Sequence, residues 1–312
     1  MPGAIILAVP PRPRQGVYLR RPSRLLRDMA TVDHVLLTRF NLPSIGRESV
    51  IRAQDGWLRE RIELFLRYTV PSVEAQTAPV RWLVYLDPAS PGWLLERIGP
   101  AVARGVFTPV FRESVSTAQI TADARGLTGA RREILLTTNL DNDDAIARDF
   151  AERLQSLAVA GRRRALYLAD GLIRRGDEVY LRRDRDNAFV SVAEPWEGAV
   201  TAWCDWHNRL HRQMTVASVP GAPGWIQVVH GRNVSNRVRG RLADPARYTA
   251  LFPGLLDDAP AVDPARVLAD AWVRRPLRES RETVRRAAKE LVLAAVGKDG
   301  LDRIKNALPV GR

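Results

Sequence analysis

The chain has 312 residues, 46% of them apolar and eight of them Trp, which supplies a sizeable core and makes the chain globular. Lys and Arg exceed Asp and Glu by 13, and every basic residue except Lys289, Lys298 and Lys305 is Arg. The preference for Arg and Ala over Lys and Ile reflects a GC-rich coding sequence. The surplus charge still favours anionic partners, namely nucleotide phosphates, phosphorylated lipids, acidic membranes or nucleic acid.

No stretch reaches the roughly 20 apolar residues that span a bilayer. Ala4 to Val9, followed by Pro10, Pro11 and Arg12 with no basic region ahead of it, makes a poor signal peptide. The single cysteine, Cys204, excludes an intrachain disulfide and fits a reducing cytoplasm; between Trp203 and Trp206 it reads as an ordinary buried thiol.

Residues 1–30 combine many Arg with Pro2, Pro10, Pro11, Pro13 and Pro22, and read as a basic, disordered leader. Val35 to Leu37 is a first buried strand with the polar end Thr38-Arg39-Phe40-Asn41, followed by a loop holding Pro43 and Gly46. Leu58, Ile62, Phe65, Leu66 and Thr69 have helical spacing, and the helix is expected to stop before Pro71. Arg81 to Leu86 is a second strand ending at Asp87 and Pro88, so the order strand, helix, strand predicts a parallel βαβ unit. A helix over 93–104, a strand over 106–111 and a polar loop over 113–132 follow.

That loop leads into the most informative stretch of the chain. Ile134 to Thr138 reads as a buried strand ending in Asp141, Asn142, Asp143 and Asp144, after which Ile146, Phe150, Leu154 and Leu157 predict a helix that starts at once. Three carboxylates and an amide therefore stand at the carboxyl end of a strand, where open α/β sheets form their ligand crevice. One acid is explained as a helix N-cap, Asp143 or Asp144 being the candidate. Three are not, because adjacent carboxylates repel unless a cation or a set of donors neutralises them, and oxygen ligands suit an ion such as Mg²⁺.

Beyond a basic turn at 161–164, Ala165 to Ala169 and Glu178 to Arg182 suggest a hairpin or meander. Trp196, Trp203, Trp206 and Trp225 then crowd together among Glu194, Asp205, His207 and His211, and Ile226 to His230 is a last strand. Clustered Trp are core more often than ligand surface. Val284, Ala288, Leu291 and Ala295 form one face of a C-terminal helix whose other face carries Arg281, Arg285, Lys289 and Glu290; such a helix is solvated or rests on an anionic membrane. The sequon Asn233-Val-Ser235 is disregarded for want of a secretion signal.

The segments HVLLTRFN, YTVPSVEAQT, WLVYLDP, LLTTNLDNDDAI and WIQVVHGRNVSNR, in this order over about residues 33–240, resemble the bacterial putative rhamnosyltransferase family, a GT-A type of glycosyltransferase. The resemblance implies an α/β, doubly wound mixed sheet with C-terminal helices. It divides the chain into the leader 1–30, a GT-A-like domain at 31–240 with a nucleotide-binding half (31–160) and an acceptor half (161–240), and a loop and helical extension at 241–312. It also implies that Asp141-Asn142-Asp143 is an Asp-X-Asp motif holding Mn²⁺ or Mg²⁺ against the diphosphate of a nucleotide sugar, with His230 as a third metal ligand.

By the same resemblance, Thr38, Arg39 and Asp87 would hold the nucleoside, although Asp87 before Pro88 equally starts a turn. Arg125 or Arg131 has the planar fork that suits a phosphate, against the alternative of a solvated surface charge. For the base that deprotonates an acceptor hydroxyl, Asp205 is the first candidate and Glu194 the second, with His207 as an orienting group or a base itself. The expected partners are a nucleotide-sugar donor and a glycan, lipid-linked or small-molecule acceptor. The expected location is the cytoplasm, peripheral to the inner face of the membrane where the C-terminal basic helix engages it. The rival readings are a nucleotidyltransferase of similar fold and a basic protein that binds nucleic acid or a membrane surface. Against the latter, the basic residues are spread along the chain with no nucleic-acid module.

Overall fold

Apolar runs too continuous for a one-sided sheet become strands covered on both faces. The computed structural model describes residues 32–43, 55–230 and 238–280 without 279. The leader, the sequon and the basic helix over 281–296 lie outside the described residues.

The chain forms β1 (Val32–Arg39), β2 (Arg81–Leu86), β3 (Thr108–Phe111), β4 (Ile134–Asn139) and the two-residue β5 (Ala145–Ile146). It continues with β6 (Arg164–Leu168), β7 (Asp170–Arg175), β8 (Glu178–Arg183) and β9 (Ser191–Pro195). The last strands are β10 (Thr215–Val219), β11 (Trp225–Val228) and β12 (Arg241–Ala243). A seven-stranded sheet has the order β10-β6-β9-β4-β1-β2-β3, and a five-stranded sheet the order β12-β8-β7-β11-β5. In the larger sheet β1 to β4 are mutually parallel and β9 runs antiparallel between β4 and β6, so the sheet is mixed, as expected.

Side-chain alternation sorts the two faces of this sheet. Leu36, Trp82, Val84 and Leu136 point to one side, where they meet Phe65 of α1 (Asp55–Leu64, Phe65–Thr69 and Val70–Glu74), Ile98 of α2 (Gly92–Ala103) and Phe150 of α4 (Phe150–Gln155). Val35, Leu37, Leu83, Tyr85 and Leu135 point to the other, against Ile120 and Ala124 of α3 (Thr117–Thr128). Phe65 anchors the larger core, its ring 5.0 Å from Phe40, 5.3 Å from Trp82 and 5.6 Å from Phe107.

Four local expectations change. The helix does not stop before Pro71, because Phe65–Thr69 opens into a π turn in which the Val70 N–H reaches the Phe65 carbonyl. The wider turn relieves the carbonyl crowding that a proline ring causes in a regular helix. The segment 113–132 is not all loop: Ser116 and Gln119 form a capping box that starts α3, and Gly129, at φ 74°, ends it. The acidic cluster leads into β5 and not into a helix, since Ala145 and Ile146 pair with Ile226 and Trp225; Ile146, Phe150 and Leu154 are buried all the same. The hairpin is β7 with β8, turning at Gly176 (φ 55°) and Asp177, while β6 belongs to the larger sheet and the chain changes sheets at Ala169.

A buried polar network crosses the centre of the larger sheet. His34 Nε2 lies 2.8 Å from Thr138 Oγ1, which is 2.6 Å from Ser191 Oγ, and His34 Nδ1 faces Gln155 Nε2 at 3.3 Å. Burial lowers the His34 pKa to about 3, so the imidazole is neutral when folded and protonates near 6.5 when unfolded. The unfolded chain therefore binds more protons between about pH 3 and 6.5, and the stability this His contributes is lost as pH falls through that window. From pH 7 to pH 5 the wild type should lose about 2 kcal/mol in urea denaturation through this residue. His34→Asn should show a correspondingly flatter pH dependence; equal slopes would exclude the effect.

Candidate active site

The order β4-β1-β2-β3 places the return of the chain beside β1, so the carboxyl ends of β1 and β4 border a topological switch point. Short polar contacts join the two ends. Thr38 Oγ1 donates to the Leu140 carbonyl at 2.7 Å and accepts from Trp82 Nε1 at 2.9 Å, while Asn142 Nδ2 donates to the Phe40 carbonyl at 2.7 Å. On the neighbouring rim, Asn41 Oδ1 accepts from the Asp87 N–H at 3.1 Å. The acidic loop is thus tied to the end of β1, and through Thr38 to β2, before any ligand is considered.

The three carboxylates occupy three different environments. Asp141 is exposed, and its Oδ1 accepts from Asn139 Nδ2 at 3.3 Å. The walls of the crevice limit hydration of its carboxyl and raise its pKa, the Asp143 charge adds to this, and Asn139, His207 and Arg61 act the other way. Asp143 is buried and ion-paired with Arg61, and its Oδ2 lies 3.1 Å from His230 Nε2. Burial opposes its ionisation, but the His230 hydrogen bond and the Arg61 and His230 charges together hold its pKa below the ordinary value. Asp144 is fully buried: Oδ1 accepts the Val228 N–H at 2.9 Å, and Oδ2 has no hydrogen-bond partner among the described residues. Burial first, then the Asp143 and Asp141 charges, push its carboxyl well above the usual carboxylate range. It caps no helix; it ties the acidic loop to β11.

The structure joins Asp143 to His230, and Arg61 to both Asp143 and Asn142, with Asp143 and His207 close enough for their charges to act on Asp141. Asp205 stands two residues before His207, its carboxylate accepting the Trp206 N–H at 2.7 Å and Gln213 Nε2 at 3.0 Å; those bonds lower its pKa. Arg39 is exposed at the crevice edge with its guanidinium 4.1 Å from the Trp203 ring centre, and Trp203 Nε1 donates to Asn139 Oδ1 at 2.7 Å.

Other expected residues are placed elsewhere or already engaged. Thr38 is fully buried, and its hydroxyl bridges Leu140 and Trp82 instead of facing the crevice. Asp87 lies at the rim, where its Oδ1 accepts the Ala89 N–H at 2.8 Å and so forms the turn before Ser90. Arg125, on the last turn of α3, packs 5.0 Å from the Trp196 ring, and Arg131 is exposed just before β4 begins. Both precede the amino end of β4, about 17 Å of strand from the acidic loop at 3.3 Å per residue, because the helix must cross the sheet before β4 starts. Glu194 is paired with Leu135 near that same end, and its carboxylate accepts Arg163 Nε at 2.7 Å and the Val200 and Thr201 N–H groups.

Sequence reasoning missed Arg61. Its side chain is 13% exposed, its Nη1 also lies 3.3 Å from Asn142 Oδ1, and its guanidinium lies 5.2 Å from the Trp57 ring. Nothing marked it among 45 Arg, because α1 is read from its apolar face and the opposite face looks solvated. In this arrangement Arg61 stands against Asp143 as a cation would. Among the described residues no three His, Cys, Asp or Glu side chains gather as a ready-made metal cage. The donor set of hard carboxylate oxygens and one imidazole nevertheless suits Mn²⁺ or Mg²⁺ when phosphate oxygens and waters complete the shell.

The family model described as Putative rhamnosyl transferase matches residues 33–242. None of the curated proteins matches the chain. Similar solved structures include TarS from S. aureus in complex with UDP, at 12% identity and a TM-score of 0.34, covering 63% of this chain and 60% of that one. Another is a nucleotide-diphospho-sugar transferase from Desulfovibrio desulfuricans G20, at 8% identity and a TM-score of 0.32, covering 61% of this chain and 80% of that one.

Removing Arg61 leaves Asp143 buried with less neutralisation. Arg61→Met should lower the free energy of unfolding by about 2–4 kcal/mol in metal-free urea denaturation at neutral pH. Adding Asp143→Asn should recover most of that loss; additive losses would show that the pair is not coupled.

Proposed function

Because the chain belongs to the Putative rhamnosyl transferase family, whose model covers residues 33–242, we propose that it moves a hexose, with rhamnose the first candidate, from a nucleoside diphosphate sugar to an acceptor hydroxyl. The acceptor is a glycan, a lipid-linked saccharide or a small molecule. The observation that carries this reading is the acidic loop 141–143 held at the switch-point crevice of the family-matched region.

Breaking the bond between sugar and phosphate develops positive charge on the sugar and negative charge on the departing diphosphate. Asp141 and Asp143, with His230, would hold Mn²⁺ or Mg²⁺ there; the bound ion supplies Lewis-acid neutralisation of the diphosphate. With an ion bound, Asp143 would no longer depend on Arg61 for neutralisation, and the planar fork of Arg61 would suit a diphosphate. Asn142 holds the loop in register through the Phe40 carbonyl. Arg39 and Trp203 offer a flat, cationic edge for the nucleoside. Of the candidate bases, His207 is the one whose charge acts on Asp141, and it would take the acceptor proton, with Asp205 two residues before it; a retaining mechanism needs no such base.

Calorimetry with UDP and dTDP tests the donor half. The wild type should bind one of these nucleotides more tightly with Mn²⁺ than without, and Asp143→Ala should weaken the Mn²⁺-dependent affinity by about tenfold or more. Turnover should release nucleoside diphosphate. Unchanged affinity in Asp143→Ala, or release of pyrophosphate, would overturn the reading.

A further inference from the structure

Four large apolar side chains stand exposed on one short helical segment. That segment is α5 (Pro264–Ala269), continued by the π turn Asp270–Arg274 and a further helical turn to Arg278. Leu268 is 60% exposed, Trp272 80%, Val273 57% and Leu277 54%. The π turn decides how they are arranged. At about 100° per residue in the α-helical parts and about 80° through the wider π turn, the four residues fall within an arc of about 100°. In an uninterrupted α-helix, Leu268 and Leu277 would lie on opposite sides.

The same count puts Asp270 and Arg278 on the far side. That is where they are found: Asp270 is buried and accepts from Arg278 Nη2 and from the Leu242 N–H of β12, each at 3.0 Å. The inner face is therefore locked to the five-stranded sheet, and the apolar arc is held outward. Arg274 is exposed next to that arc. From Pro264 to Arg312 the sequence carries twelve Lys and Arg against six Asp and Glu.

We propose that Leu268, Trp272, Val273 and Leu277 form a docking face for the surface of an anionic lipid bilayer, with the Arg-rich flank drawing the protein to the headgroups. A Trp-bearing apolar arc beside arginines is the composition of a helix that lies in the interface, where Trp is the favoured anchor. Among the described residues no helix is long and apolar enough to cross a membrane, so the segment rests on the bilayer. A second copy of the chain fits less well. A two-fold contact through this face would bring two surplus-positive segments together, whereas anionic lipid neutralises them. The inference does not depend on which sugar donor the crevice takes.

Flotation of the full chain with vesicles of phosphatidylcholine, alone or mixed with phosphatidylglycerol, tests the proposal. The wild type should float with the mixed vesicles and far less with phosphatidylcholine. Leu268→Ser combined with Trp272→Ser should lose about tenfold or more of that binding with an unchanged melting temperature. Equal flotation of the variant would overturn the proposal. So would absence of wild-type binding, or a concentration-dependent dimer that the double variant dissociates. Should the double variant fail to fold, Trp272→Phe keeps the face apolar: fluorescence quenching by brominated phosphatidylglycerol should fall relative to wild type, and an unchanged signal would exclude contact at Trp272.

Discussion

Three carboxylates within four residues, in a loop walled by strands, must each be relieved of charge by a different means. Asp141 remains at the surface. Asp143 is buried but faces Arg61 and His230. Asp144 is buried with no ion pair among the described residues, and its raised pKa favours the neutral form. Were all three ionised and equally buried, mutual repulsion and lost hydration would unfold the loop. This gradient from water to core orients the site, because it leaves Asp141 and the outer edge of Asp143 as the carboxylate surface available to a ligand.

The loop keeps that orientation because its backbone is fixed on both sides. Thr38 and Asn142 bridge β1 to the residues after β4, and Asp144 accepts from the start of the segment that leads out of β11 to His230. Since β11 also pairs with β7, the position of His230 depends on the smaller sheet, while Asp141 to Asp143 depend on the larger one. The candidate site is therefore a junction between two sheets. A change in either one moves one half of the site relative to the other.

Much of the arginine excess has a structural use. In the smaller sheet and its surroundings, the buried Asp170 and Asp270 are each met by an arginine fork. Asp170 takes Arg183 at 2.8 and 3.0 Å and Asp270 takes Arg278 through both oxygens, while one oxygen of the exposed Asp258 takes Arg174 at 2.6 Å and also Arg67. The bidentate pairs fix geometry more than they add stability, because desolvation offsets much of the attraction. Net charge was thus a poor guide to where an anionic ligand binds. Arg125 and Arg131, conspicuous in sequence, lie at the amino end of β4, whereas Arg61, which looks like any other exposed position on a helix, reaches the acidic loop.

Strand positions, the parallel βαβ start and the acidic cluster at the end of β4 were legible from sequence, because side-chain alternation and continuous apolar runs are local consequences of burial. The capping box at Ser116 and Gln119 is also a local signal, but the polar composition of 113–132 leads to the expectation of a loop where α3 stands. Which end of the sheet each loop faces was decided only by tertiary structure, since strand order and direction arise from contacts between residues about a hundred positions apart, such as His34 with Thr138 or Asn142 with Phe40. The same holds for the fate of individual acids. The residue type of Asp144 is the same as that of Asp141, but burial and the distance to the nearest cation set their protonation, and those are properties of the packed chain.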